Sequence, residues 1–229
     1  MNFVYICRPG QNEELRYSIR SVMSTFPDAK VWVVGGKPDW YTGNYVQVRQ
    51  NSTKYTNARD NLEAICNSED IPENFILMND DFFIVKPIKD IQYLNGGLLS
   101  EKIEYYNELT PNTSYVRSLQ ETHRRLLKRG IVNPLDYELH VPMPMHKVGL
   151  KASMAGGSLW RSVYGNMFGV GGETIKDVKV YNGGPLMPKS YDYEQLDQPY
   201  LSTDDLSFDT VLNVMLKDMF SVASDCEQG

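Results

Sequence analysis

Phe75-Ile76-Leu77-Met78-Asn79-Asp80-Asp81-Phe82-Phe83 sets an unbroken apolar run directly against two adjacent carboxylates, and apolar residues resume at once behind them. A run with no polar interruption fits a strand buried on both faces, as in a parallel sheet covered by helices. Sheets of that kind bind ligands at the carboxyl ends of their strands. Asp80 and Asp81 are therefore delivered to the ligand-binding edge. Neighbouring carboxylates repel each other and lose hydration, so they need a cation, a proton or a basic partner. A divalent metal carrying a phosphorylated substrate meets that need. The alternative is a turn in which both aspartates cap the next segment.

Working back towards the start, strand and helix patterns alternate. Residues 3–7 are a short apolar run broken by Arg8-Pro9-Gly10. Residues 13–26 then carry Leu15, Ile19, Val22, Met23 and Phe26 at helical spacing, with Glu13 and Glu14 in the favourable first turn. Pro27-Asp28 ends that helix, and residues 31–34 form a second strand closed by Gly35-Gly36. Tyr45, Val46 and Val48 suggest a third strand, and residues 57–66 a second helix with Ala58, Leu62, Ile65 and Cys66 inside. This order predicts an α/β fold, a mostly parallel sheet flanked by helices.

Beyond the acidic pair the pattern changes. A tract rich in Tyr, Asn and Gly leads to a helix at 115–129, stopped by Gly130. Its end carries His123, Arg124, Arg125, Lys128 and Arg129, either a solvated face complementing the helix dipole or a contact for an acidic acceptor. Residues 143–172, with many Gly, Met and Ser, read as loops around a pocket, and 209–220 as a final amphipathic helix. The expectation is one domain, 1–229, with a helical and loop insertion after the acidic motif.

Composition narrows the functions. The chain has 229 residues, enough to bury a sizeable core. A net charge of -6 argues against a nucleic-acid partner, which favours a basic face. No apolar run approaches the roughly 20 residues that span a bilayer, and the opening residues go straight into a strand, so a cytoplasmic protein is expected. Cys7, Cys66 and Cys226 are odd in number and lack metal-ligand spacing, which predicts reduced thiols. The sequons at Asn51 and Asn112 then carry no weight.

Candidate site residues follow from position. Arg8 ends the first strand on the same edge as Asp80 and Asp81, where a guanidinium holds a phosphate or a nucleotide base; otherwise it is a loop arginine. Lys54, Asn57, Arg59 and Asn61 surround the start of the second helix, whose free N–H groups and dipole suit a diphosphate; otherwise Asn57 is an N-cap and Arg59 solvated. His140 is suited to metal ligation or to stabilising a departing phosphate, against the plainer role of a packed histidine. Arg161 among aromatics suits a phosphate clamp or cation–π packing. Ser202, Thr203 or one of Asp204 and Asp205 caps the last helix, or either aspartate supplies the base for an acceptor hydroxyl. Tyr105, Tyr106 and Tyr115 are read as packing residues.

The opening strand with Arg8, the Lys54/Asn57/Asn61 helix entry and the acidic pair resemble the GT-A family of nucleotide-sugar glycosyltransferases. The resemblance implies a GT-A-like, Rossmann-like fold, with 1–90 the nucleotide-binding half and 91–229 the acceptor half. It also implies a manganese or magnesium ion held against the diphosphate of a nucleoside-diphosphate sugar. Asn79-Asp80-Asp81 stands where the family has an Asp-x-Asp motif, so Asp81 is favoured for the metal, with Asp80 nearer the donor sugar and His140 a further ligand candidate.

A tighter similarity is to the Stealth proteins, sugar-phosphate transferases of capsule synthesis. It is carried by Glu14-Leu15-Arg16-Tyr17-Ser18-Ile19-Arg20-Ser21, by residues 75–83, and by His140-Val141-Pro142, with weaker echoes at Arg161 and at 202–208. Their opening segment, with an aspartate after the first strand, is replaced here by Tyr5-Ile6-Cys7-Arg8-Pro9-Gly10, as in a compact bacterial or phage relative that transfers a plain sugar. The expected activity is metal-dependent sugar transfer to an acceptor hydroxyl on a glycan or protein. The alternatives are sugar-1-phosphate transfer and a non-catalytic carbohydrate- or nucleotide-binding module.

Overall fold

The structure is a computed structural model and describes residues 1–50, 53–155, 159–182 and 198–228. Asn51 lies outside the described residues, as do positions 156–158 of the expected loop region. The chain divides into two compact units, one of Met1–Ile91, His140–Pro144 and Val178–Gly229, the other of Gln92–Leu139 and Met145–Asp177.

The first unit holds the predicted α/β layer. Its elements are β1 (Asn2–Cys7), α1 (Glu13–Thr25), β2 (Lys30–Gly35), β3 (Asn44–Gln47), α2 (Lys54–Asn67), β4 (Asn74–Asn79) and β5 (Phe82–Ile84). The main sheet has the order β3-β2-β1-β4-β7, where β7 (Met143–His146) contributes Met143 and Pro144 to this unit. β1 pairs in parallel with both β2 and β4, and β2 with β3. The apolar runs of β1, β2 and β4 supply Phe3, Val4, Val33, Val34, Leu77 and Met78, all buried, as strands covered on both faces require. The mostly parallel sheet flanked by helices is thus observed.

A second sheet is not local in sequence. β9 (Lys179–Val180) and β10 (Tyr200–Thr203) join β5 in the order β5-β10-β9, with β5–β10 antiparallel and β9–β10 parallel. The end of the chain packs beneath it through α7 (Asp205–Ser207), a π-helical turn (Phe208–Leu212) and α8 (Asn213–Met219). Tyr17, Phe83, Val85, Leu201, Phe208, Leu212 and Leu216 form that core. The single helix expected over 209–220 therefore starts earlier and is interrupted. Asp204 sets the start as N-cap: its Oδ1 accepts from the Ser207 amide at 2.7 Å, and Ser207 Oγ accepts from the Asp204 amide.

α1 accounts for the motif around it. Ser21 Oγ accepts from the Ile84 amide at 3.0 Å, and Ser18 Oγ donates to the Phe82 carbonyl, which clamps the helix to β5. Arg16 and Arg20 hold Glu227 at 3.2 and 2.6 Å, fastening the chain's last residues to the helix. Leu15 and Ile19 are buried, and Glu14 at the helix start faces a cavity.

The second unit contains β6 (Leu94–Asn95), α3 (Leu99–Leu109), α4 (Ser114–Lys128), α5 (Lys147–Met154), α6 (Trp160–Met167) and β8 (Glu173–Thr174). Leu99, Leu119, Leu126 and Leu159 form its core, with Tyr106 and Tyr115 packed against them. Two corrections arise here. The stretch read as loops over 143–172 holds two helices, α5 and α6, and the tract before α4 holds α3. On α4, Arg124 and Arg125 both pair with Glu121, as a solvated face does. No helix among the described residues is long and apolar enough to cross a membrane.

Candidate active site

At the carboxyl ends of β1 and β4 the first unit opens into a cavity of about 790 Å³. Ten of the residues singled out from the sequence line it: Arg8, Lys54, Asn57, Asn61, Asn79, Asp80, Asp81, His140, Asp204 and Asp205. The topology explains the assembly. Arg8 follows β1 and Asp80 follows β4, and parallel pairing aligns those two strands with Ile6 opposite Asn79. Asp80 and Asp81 form the turn between β4 and β5, so they cap no helix.

Asp80 is held by a capping residue. Asn12 adopts a left-handed conformation (φ 45°), accepts the Leu15 amide on Oδ1 to start α1, and donates from Nδ2 to Asp80 Oδ2 at 2.6 Å. Arg8 Nε lies 3.7 Å from the same oxygen. Burial first, then the neighbouring charge of Asp81, pushes the Asp80 carboxyl up to about 6, against the lowering effect of Asn12 and Arg8. Asp81 sits differently: its Oδ2 accepts from Lys179 Nζ at 2.7 Å and from Ser202 Oγ at 3.2 Å.

Arg8 connects three carboxylates. Its Nη2 lies 2.7 Å from Asp205 Oδ1 and 3.1 Å from Glu14 Oε2, in addition to the Asp80 contact. The hydrogen bond to Asp205 pushes the pKa of the guanidinium up and holds the Asp205 carboxyl below the usual range. Glu14 behaves in the opposite way. Its burial is the main cause that pushes it up to about 7; Asp80 and Asp81 add to this, while the Thr203 hydroxyl (2.8 Å) and Arg8 oppose it. A carboxyl near neutrality inside a cleft is a hallmark of proton-transfer sites.

The helix-entry residues divide by role. Thr53, not Asn57, caps α2, its Oγ1 accepting from the Thr56 amide at 3.4 Å. Lys54, Asn57 and Ala58 of the first turn line the cavity, so the amino end of this helix faces it. Asn61 is buried one turn deeper, where its Oδ1 accepts from Gln50 Nε2 at 2.7 Å. Arg59 is exposed and paired with Glu63 at 3.0 Å, the solvated reading.

Two candidates depart from expectation. Arg161 does not line the cavity; it is a buried residue of α6 in the second unit, donating from Nη1 to the Leu139 carbonyl at 3.0 Å. The α6 face carrying Arg161, Ser162, Tyr164 and Gly165 turns inward, so the guanidinium holds backbone rather than ligand. His140 lines the cavity with its ring edge-on to Phe82, centroids 6.2 Å apart. It is not drawn with Asp80 and Asp81 into a metal cluster, since the described residues contain no group of three or more His, Cys, Asp or Glu so arranged. A magnesium-type ion is commonly bound through one or two carboxylates plus substrate phosphates. Asp80 and Asp81, two oxygen-donor groups in a cavity where burial, and after it acidic neighbours, lift Asp80 and Glu14, fit that role.

Sequence reading missed Glu14, Lys179 and Thr203. Glu14 reads locally as a helix-dipole residue, although it opens the Glu14–Ser21 motif, which is a usable signal. Lys179 lies in a two-residue strand with no periodicity, and nothing local marks it.

No family model matches the chain, and no curated protein matches it. Among solved structures, the chain is similar to the galactosyltransferase LgtC in complex with donor and acceptor sugar analogs, with a TM-score of 0.45 and 10% identity over 98% of each chain. It is similar also to an active-site mutant of LgtC, with a TM-score of 0.40 and 10% identity over 99% of this chain and 85% of that one.

Proposed function

We propose that this cavity binds a nucleoside-diphosphate sugar and that the protein transfers the sugar to an acceptor hydroxyl. The observation that carries the reading is the convergence of Arg8, Lys54, Lys179 and the start of α2 with the Asp80–Asp81 pair in one cavity at the strand ends. Its volume of about 790 Å³ suits a ligand of that size. Cations and helix amides match a diphosphate, and the carboxylate pair matches a divalent ion that the diphosphate brings. Residues 1–90 then carry most of the donor site, and the acceptor is a glycan or protein hydroxyl.

In the transfer, the bond between the anomeric carbon and the diphosphate oxygen breaks, and its electron pair leaves with the diphosphate. The acceptor oxygen bonds to the anomeric carbon, and its proton passes to a carboxylate. Asp81, assisted by Asp80, would hold manganese or magnesium, which supplies Lewis-acid neutralisation of the leaving charge when bound. Arg8 and Lys54 add fixed positive charge beside it. Asp204 is engaged as a helix cap, so Asp205 takes the acceptor proton once Arg8 turns from it to the diphosphate.

A second reading, Stealth-like transfer of sugar-1-phosphate, is favoured by His140 lining the same cavity next to Phe82. There the acceptor oxygen attacks the β-phosphorus, the bond to the bridging oxygen breaks, and the nucleoside monophosphate leaves. Incubation with a panel of sugar nucleotides and manganese, followed by chromatography of the released nucleotide, tests both. Diphosphate release supports sugar transfer and monophosphate release supports the second reading. No turnover of any donor, with manganese-dependent thermal stabilisation alone, would leave a binding module instead.

A further inference from the structure

Lys179 is the one cation set directly on the carboxylate that best suits a metal, among the described residues. Strand pairing puts it there: Lys179 stands opposite Ser202 in the β9–β10 register, and residues so paired share one face of a sheet. Both reach the same atom, Asp81 Oδ2, at 2.7 and 3.2 Å. The lysine and aspartate side chains are only 14% and 15% exposed, so water screens the pair weakly. A divalent ion approaching Asp81 therefore meets an ammonium already in place, and two cations on one carboxylate repel unless an anion joins them.

We propose that Lys179 is the resident counter-ion of Asp81 and that it makes metal and diphosphate bind as a pair. With neither ligand present, Lys179 neutralises Asp81. When the metal takes Asp81, the ammonium needs a new partner, and a phosphate oxygen of the incoming diphosphate provides it. Each ligand thus removes an obstacle to the other, which is a coupling between two sites with reciprocal effects on affinity. The inference rests on the cavity's taking a nucleoside diphosphate, and it specifies how that ligand is admitted.

The test is calorimetric binding to the full chain, with manganese chloride alone, with UDP, GDP, ADP and CDP in EDTA, and with each pair together. Lys179→Met is expected to shift the two single affinities in opposite directions. Manganese alone binds about tenfold tighter or more, because its competitor is gone, while the preferred diphosphate in EDTA binds about tenfold weaker or more. The gain from adding both together shrinks accordingly. Lys179→Arg, which keeps the charge, is expected to stay close to wild type in all three, and it provides the measurement if the methionine variant does not fold. Manganese affinity unchanged or weakened in Lys179→Met, or manganese affinity raised in Lys179→Arg, overturns the proposal, as does a wild type that binds neither ligand. Absence of sugar turnover with the opposed shifts intact would refute sugar transfer and leave this inference standing.

Discussion

Replacing Glu14 by Gln is expected to stabilise the protein in alkali and not in acid. Burial in the cavity wall, with Asp80 and Asp81 adding repulsion, raises this carboxyl from 4.5 to about 7. Its folded-state pKa lies above its unfolded value, so the protonated group stabilises the fold below about pH 4.5. That contribution is lost as pH rises through about 7. At about 1.4 kcal/mol per pH unit, the interval is worth about 3 kcal/mol once Glu14 is fully ionised. Glutamine keeps the shape and an acceptor for Thr203 Oγ1; the pairing of the ionised group with Arg8, which it gives up, is already contained in the folded-state value. Urea unfolding of both proteins at pH 5 and pH 8.5 isolates the titration, because glutamine does not ionise between them. The variant should gain about 2–3 kcal/mol on wild type between those two pH values. Parallel pH profiles for the two proteins would show that Glu14 ionises freely and would remove the account of an acidic, strained cavity.

Three other perturbations read separate parts of the structure. Arg20 and the Ser224 amide, against burial, hold the Glu227 carboxyl down to about 2. Its stability contribution is therefore present above about 4.5 and lost as pH falls through about 2; Glu227→Gln should cost about 2–3 kcal/mol at pH 7 and flatten the thermal midpoint profile in acid. Asn12→Ala loses the cap of α1 and the bond to Asp80 and strains a left-handed backbone, whereas Asn12→Gly loses the same two bonds without the strain. The glycine variant should be the more stable by about 1 kcal/mol in urea midpoints, and the reverse order would contradict φ 45° at this position. Asp81→Asn should lower sugar transfer about a hundredfold or more with an unchanged circular dichroism spectrum, and full activity would refute its role at the leaving group.

How far the sequence was readable depends on whether a residue's partners are local. β1, β2 and β4 are continuous apolar runs and α1 has clean helical spacing, so the parallel layer and the delivery of Arg8 and Asp80 to one edge followed directly. α5 and α6 were hidden by their glycines, which mimic loops. A Cβ on Gly149 would lie 2.6 Å from His146 Cε1, and one on Gly165 would lie 2.5 Å from the Tyr137 ring. Those glycines are thus close-packing positions inside helices rather than breaks. Arg161 was drawn to the site by its aromatic neighbours, but such neighbours surround a packed guanidinium equally well. Lys179 was beyond reach, because its contact with Asp81 depends on a register between two short strands that no local pattern encodes.

The charge arrangement of the cavity carries a constraint of its own. Arg8 reaches Asp205, Glu14 and Asp80, and Lys179 reaches Asp81, so each acidic group there already has a basic or polar partner within the fold. A phosphate oxygen entering the cavity competes with those carboxylates for the same donors, and a planar guanidinium accepts either anion in similar geometry. An anion that takes Arg8 or Lys179 therefore releases carboxylates from them. Glu14 and Asp80, released in a desolvated wall, cannot stay bare and take up a cation or a proton, whereas the exposed Asp205 is hydrated. Asp80 and Glu14 are pushed up to about 6 and about 7 and so take a proton readily, while Asp81 is held by Lys179 Nζ and Ser202 Oγ. On the proposed reading, anion binding at Arg8 or Lys179 thus entails cation or proton uptake, which couples the acidic pair to those two basic residues.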